Sequence, residues 1–177
     1  MDKQQFEKLF DAVIVSPLES SGFERKGKSV YLVQGDIAIS LMRLGGKMAI
    51  WGGISQILCF RHSFLPTLYE DSNFGFESEV FSYPIKLKPL DVKHSLRRSI
   101  KYRPSNSRFK GEEFVFDDKS EKQALKYLSR VLRSVNTVHG WAQRIEPDQL
   151  ASEIKKFGES AWIENRWLDS YEARENI

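Results

Sequence analysis

Residues 22–60 read GFERKGKSVYLVQGDIAISLMRLGGKMAIWGGISQILCF, and this run restricts the possible folds more than any other part of the chain. Alternation with period two sets Ile37, Ile39 and Leu41 on one side of an extended backbone and Ala38, Ser40 and Met42 on the other. That is the pattern of a half-buried strand. Gly35-Asp36 and Gly45-Gly46-Lys47 fall between the apolar runs, where glycine supplies the positive φ of a tight hairpin. The expectation is an antiparallel meander, with Gly52-Gly53 bending a long strand that continues through residues 54–60.

Helical patterns flank this run. Phe6, Leu9, Phe10, Val13 and Ile14 recur on one face of residues 3–15, Pro17 kinks or restarts that helix, and Gly22 stops it. Residues 61–78 contain Pro66, Asp71, Asn73 and Gly75 and are expected to form an ordered loop. Residues 79–87 carry Val80, Phe81, Tyr83 and Ile85, but Pro84 restricts them to an edge strand. Phe114-Val115-Phe116 is a further short strand. Asp118-Lys119-Ser120-Glu121 has the form of a capping box opening a helix through Ala124, Leu125, Leu128, Val131, Leu132 and Val135, which Gly140 ends. Pro147 starts another helix with Leu150, Ile154 and Phe157 on one face, and a last helix from about Ser160 buries Ile163, Trp167 and Tyr171. Segregated elements of this kind predict a single α+β domain over residues 1–177. In it an N-terminal amphipathic helix covers an antiparallel meander, and two to three helices follow.

At 177 residues such a chain can bury a substantial core, and 41% hydrophobic with 29% charged residues is an ordinary globular balance. The single Cys59 stands within Ile57-Leu58-Cys59-Phe60, so it forms no internal disulfide and reads as a small buried hydrophobe. A reducing cytoplasm suits it. No export signal or membrane-spanning apolar run is recognisable.

Chemistry-bearing motifs are sparse. Residues 22–29 satisfy G-x-x-x-x-G-K-[ST], the phosphate loop, but that chemistry needs a strand before the loop and a helix after it. Here a helical pattern precedes the match and Val30-Tyr31-Leu32-Val33 follows, so the glycines read as turn residues. Gly45-Gly46 and Gly52-Gly53 do not form the dinucleotide fingerprint. His62, His94 and His139 lack zinc-ligand spacing, no G-x-S-x-G elbow occurs, and Cys59 lies among hydrophobes. The acidic pairs Glu70-Asp71 and Asp117-Asp118 suit a loop and a helix cap better than general acid–base work. The reading is non-enzymatic, without cofactor or metal.

The net charge of +3 is unevenly distributed. Residues 86–110 hold nine Lys and Arg against one Asp, a local excess of +8 that leaves the remainder at −5. Lys86, Lys88, Lys93, His94, Arg97, Arg98, Lys101, Arg103, Arg108 and Lys110 are interleaved with Tyr83, Tyr102 and Phe109. Such a mixture neutralises phosphates and stacks bases. It also suits an acidic protein surface, or a solvated loop. Lys93, Arg97, Arg98, Lys101 and Arg103 are the candidate contacts to a polyanion or partner.

The opening, Phe6-Glu7-Lys8-Leu9 through Pro17-Leu18-Glu19-Ser20-Ser21-Gly22-Phe23-Glu24-Arg25-Lys26-Gly27 to Val30-Tyr31-Leu32, resembles an uncharacterised bacterial family, the domain-of-unknown-function family number four-three-zero-four. The similarity covers about residues 1–60, and the basic region 86–110 has no counterpart in the family pattern. Families of this kind resemble small α+β proteins found beside bacterial toxin genes. The resemblance therefore implies a protein partner such as a toxin and carries no catalytic residue across.

Overall fold

In the computed structural model, the described residues are 1–44, 47–63, 75–76, 83, 85–92, 111–155, 168–169 and 172–173. Asp2 opens α1 (Lys3–Phe10) through a capping box, its carboxylate accepting the Gln5 amide at 2.8 Å. The helix does not break at Pro17. It widens into a π segment (Asp11–Val15) and continues as α2 (Ser16–Glu19), with Pro17 in the first turn. A strict four-residue spacing of Phe6, Phe10, Ile14 and Leu18 would drift around a regular α-helix; the wider turn returns all four to the core, where each is at most 2% exposed. Gly22 ends the rod at φ +88°, with its own amide bonded to Glu19 O and that of Phe23 to Leu18 O. Only glycine takes this left-handed cap cheaply.

Three antiparallel strands follow: β1 (Glu24–Lys26), β2 (Ser29–Gln34) and β3 (Ile37–Leu44), joined by two-residue loops at Gly27-Lys28 and Gly35-Asp36. The phosphate-loop match thus spans a helix cap and a hairpin. Residues 47–50, expected to border a hairpin turn, form a single helical turn, α3 (Lys47–Ile50). Gly52 follows that turn and Gly53 begins β4 (Gly53–His62), so the glycine pair does not bend a longer strand. β4 extends two residues into the stretch assigned to a loop and pairs with β3 along its length, from Leu44↔Ser55 to Ile37↔His62.

The edge of β4 away from β3 is shared. β5 (Ile85–Leu87) pairs with residues 58–60 and β6 (Glu112–Val115) with residues 53–56, both antiparallel. They lie end to end as one interrupted edge strand. The six-stranded sheet is entirely antiparallel, in the order β1-β2-β3-β4, with β5 and β6 both beyond β4.

α4 (Glu121–Ala142) is capped by Ser120, two residues later than expected. Ser120 N donates to Gln123 Oε1 at 2.9 Å, and Ser-x-x-Gln is the box that forms, with Asp117 and Asp118 in the preceding turn. The helix runs through Gly140 because Trp141 and Ala142 continue its apolar stripe; the Trp141 ring meets Phe60 edge-on at 5.0 Å. α5 (Pro147–Lys155) buries Leu150, Ala151 and Ile154. Of the expected last helix, Leu168 is buried in the core and Glu172 pairs with Lys155; Ile163, Trp167 and Tyr171 lie outside the described residues.

α1 and the π segment after it cross the strands, Phe6 lying on β6, Glu7 on β3 and Asp11 on β1. With α4 it covers one face of the sheet. The half-buried expectation for that sheet is overturned. Ala38, Met42, Ile57 and Cys59 on the opposite face pack with Tyr83 into a second apolar cluster, joined by Leu44 and Phe76. This is an α+β fold with an antiparallel sheet, an N-terminal helix and C-terminal helices.

Candidate functional site

The interrupted edge strand determines where the basic segment attaches. Leu87 stands opposite Leu58 and Glu112 opposite Gln56, so a single β4 residue, Ile57, separates departure from return. The departing chain makes a 3-10 turn (Pro89–Asp91) packed on α4. Glu112 sits at this neck: its carboxyl is raised above the usual range by burial, with Lys88 and the Leu90 backbone opposing that shift and Asp91 and Arg130 also close. Lys93, Arg97, Arg98, Lys101 and Arg103 lie outside the described residues.

Two members of the basic and aromatic mixture belong to the protein interior instead. Lys86 is 2% exposed and Tyr83 fully buried, both beneath the second face of the sheet beside Cys59. Strand pairing of Ile85 and Leu87 into the main core turns Lys86 to the other face, an outcome decided by register. The Cys59 thiol, pushed up to about 12 by burial, stays protonated and unreactive at neutral pH.

A polar row crosses the helix-covered face. Arg43, Gln56 and Glu112 are register neighbours on β3, β4 and β6. α1 contributes Glu7, whose two carboxylate oxygens accept from Arg43 at 2.6 and 2.8 Å; this hydrogen-bonded pairing holds the carboxyl below its ordinary range. α4 contributes Tyr127, whose hydroxyl accepts from Gln56 Nε2 at 2.9 Å. Burial raises the Tyr127 phenol well above its ordinary value, so it holds its proton at neutral pH. The row contains a satisfied ion pair and a neutral phenol, and its chemistry is that of a structural layer. Tyr127→Phe is expected to leave the Gln56 amide without its partner and to cost about 1–3 kcal/mol in denaturant unfolding. An unchanged midpoint would show the bond to be dispensable.

Elsewhere the candidates are modest. Among the described residues, no three His, Cys, Asp or Glu side chains are placed to hold a metal ion. His139, lowered by burial, meets Phe23 edge-on at 5.6 Å near the C-terminal end of α4. Among the described residues, no helix is long and apolar enough to cross a membrane. Met1, Gln5, Leu9, Ala12 and Lys119 line an open groove of about 460 Å³ between α1 and the start of α4.

Sequence reasoning missed Ile50 and Trp51. They stand side by side at the end of α3, 80% and 61% exposed, whereas no other bulky apolar side chain among the described residues exceeds 39%. Their composition resembles the strands around them, so only the one-turn helix reveals them as surface residues.

The fold and these surfaces define an α+β domain with a buried polar row, an exposed apolar tip and a basic segment whose two ends meet at a sheet edge. Comparison with protein-family models, curated proteins and solved structures finds no match.

Proposed function

We propose that the protein is a non-enzymatic, macromolecule-binding domain of the bacterial cytoplasm whose partner is another protein, in the manner of an immunity protein that binds a toxin. The observation that carries this reading is the exposed Ile50-Trp51 pair. An exposed tryptophan beside an aliphatic residue gains most from desolvation when a partner pocket closes over it, and such anchors dominate protein interfaces. The class of partner, a toxin, rests on the likeness read in residues 1–60 of the sequence.

Co-expression with the products of neighbouring genes, followed by titration calorimetry, tests the reading. A stoichiometric complex is expected, and Trp51→Ala is expected to weaken it by about 2 kcal/mol or more, roughly thirtyfold. An affinity unmoved by replacing both Ile50 and Trp51 with alanine removes the assigned surface. Failure to recover any complex removes the toxin idea.

A second reading, binding of nucleic acid or another polyanion through Lys93, Arg97, Arg98, Lys101 and Arg103, is favoured by the neck geometry. β5 and β6 fix both ends of the basic segment at one place on the sheet, beside Lys88 and Arg130.

A further inference from the structure

α4 displays a second basic surface that the charge balance of the sequence conceals. Between Lys122 and Gln143 the helix carries Lys122, Lys126, Arg130 and Arg133, with no acidic residue. Successive spacings of four, four and three place these four within an arc of about 80°. That arc points away from Ala124, Leu128, Val131 and Val135, which are buried. All four cations are exposed, and none pairs with an acidic side chain among the described residues.

The ridge extends beyond Arg133. Gly140 falls on the same arc, and Arg144 Nη1 lies 3.8 Å from where a Cβ on Gly140 would stand, so the Arg144 guanidinium covers the bare backbone. From Lys122 to Gly140 the ridge measures about 27 Å, at 1.5 Å per residue. Its acidic neighbours are at the margins: Glu121 before it, Glu112 near Arg130 at the neck with Asp91 near Glu112, and Glu146 and Asp148 after Arg144. Because the 3-10 turn at the neck packs on α4, the ridge adjoins the origin of the basic segment.

We propose that the solvent face of α4 binds the phosphate backbone of a nucleic-acid duplex through Lys122, Lys126, Arg130, Arg133 and Arg144. A straight rod of evenly spaced, unpaired cations complements a regular line of phosphates. Proteins that hold single strands add exposed aromatic platforms for the bases. Beside this ridge Leu125 reaches solvent, Tyr127 is buried against Phe114, and the half-buried Trp141 is engaged edge-on by Phe60. Contacts limited to phosphates predict binding without sequence preference. The inference shares only its ligand class with the second reading above, and it assigns a different surface.

Fluorescence anisotropy of the full chain with a labelled duplex of about 20 base pairs tests it. Five phosphate contacts imply that affinity falls by roughly five hundredfold between about 50 and 200 mM salt. The variant K122Q/K126Q/R130Q/R133Q is expected to bind at least about tenfold more weakly and to lose three to four units of the log–log salt slope. The variant K3Q/K8Q/K26Q/K28Q removes the same charge from other exposed positions and is expected to bind nearly as the parent does. Circular dichroism establishes that both variants fold.

Equal weakening by the two variants would reduce the effect to net charge and overturn the ridge. A variant with glutamine at Lys93, Arg97, Arg98, Lys101 and Arg103 separates the two basic surfaces. Binding lost there and retained in the α4 variant would uphold the second reading and overturn this one; the converse would uphold the ridge alone. Tighter binding of a single strand, or of a polyglutamate peptide, than of the duplex would likewise overturn it.

Discussion

Phe6→Ala is expected to lower the stability of the domain by about 3–5 kcal/mol, near the upper end for a single core truncation. Phe6 is fully buried and stands at the centre of an aromatic chain. Its ring stacks on Phe116 at 4.4 Å and on Phe114 at 6.0 Å, and meets Phe10 at 6.3 Å; Phe114 in turn stacks on Tyr127 at 4.0 Å. One side chain therefore couples α1, β6 and, through Phe114, α4. Removing it leaves a cavity between elements distant in sequence, which a rigid sheet cannot collapse to fill. In thermal unfolding the midpoint should fall by roughly 10 °C, while Phe6→Leu should retain most of the stability. A loss below about 1 kcal/mol would mean that α1 is not held by this contact.

Gly111→Ala is the second large expectation, because it acts where β6 joins the sheet. A Cβ on Gly111 would stand 2.6 Å from Ser55 Oγ and 2.7 Å from Gln56 O. The hydroxyl can rotate away. The carbonyl belongs to β4, fixed between β3 and β6. Either β6 moves outward or the added methyl is compressed, and overpacking of this kind costs about 1–3 kcal/mol. Hydrogen exchange distinguishes this from general destabilisation: the amides of β6 should lose protection before those pairing β2 with β3. Uniform loss across the sheet, or no loss, would show that Gly111 is not the constraint on that edge.

The outline of the fold was legible because its main elements carry local patterns. Phe6, Phe10 and Ile14 announce α1, the alternation of residues 37–42 announces β3, and Ala124, Leu128, Val131 and Val135 announce α4. What escaped depends on contacts between remote residues. Alternation in β3 is compatible with one covered face or two, and the second cover comes from Tyr83 and Phe76, about forty residues away. Lys86 reads as surface charge until the register of β5 turns it inward. Four residues are too few for α3 to show a period, so Ile50 and Trp51 read as strand. The basic run was visible as composition, whereas the ridge on α4 requires the helix phase, which places four scattered cations in one line.

The end-to-end arrangement of β5 and β6 has a bearing on how such a protein can vary. Leu87 and Glu112 are held in place by β4, so strand pairing closes the ring of chain between them. Closing a longer ring costs little, about 0.6 kcal/mol for each doubling of its length. The docking points at Leu87 and Glu112 are thus fixed by β4 itself, and a change in the length of the chain that joins them is expected to alter closure entropy far more than strand pairing.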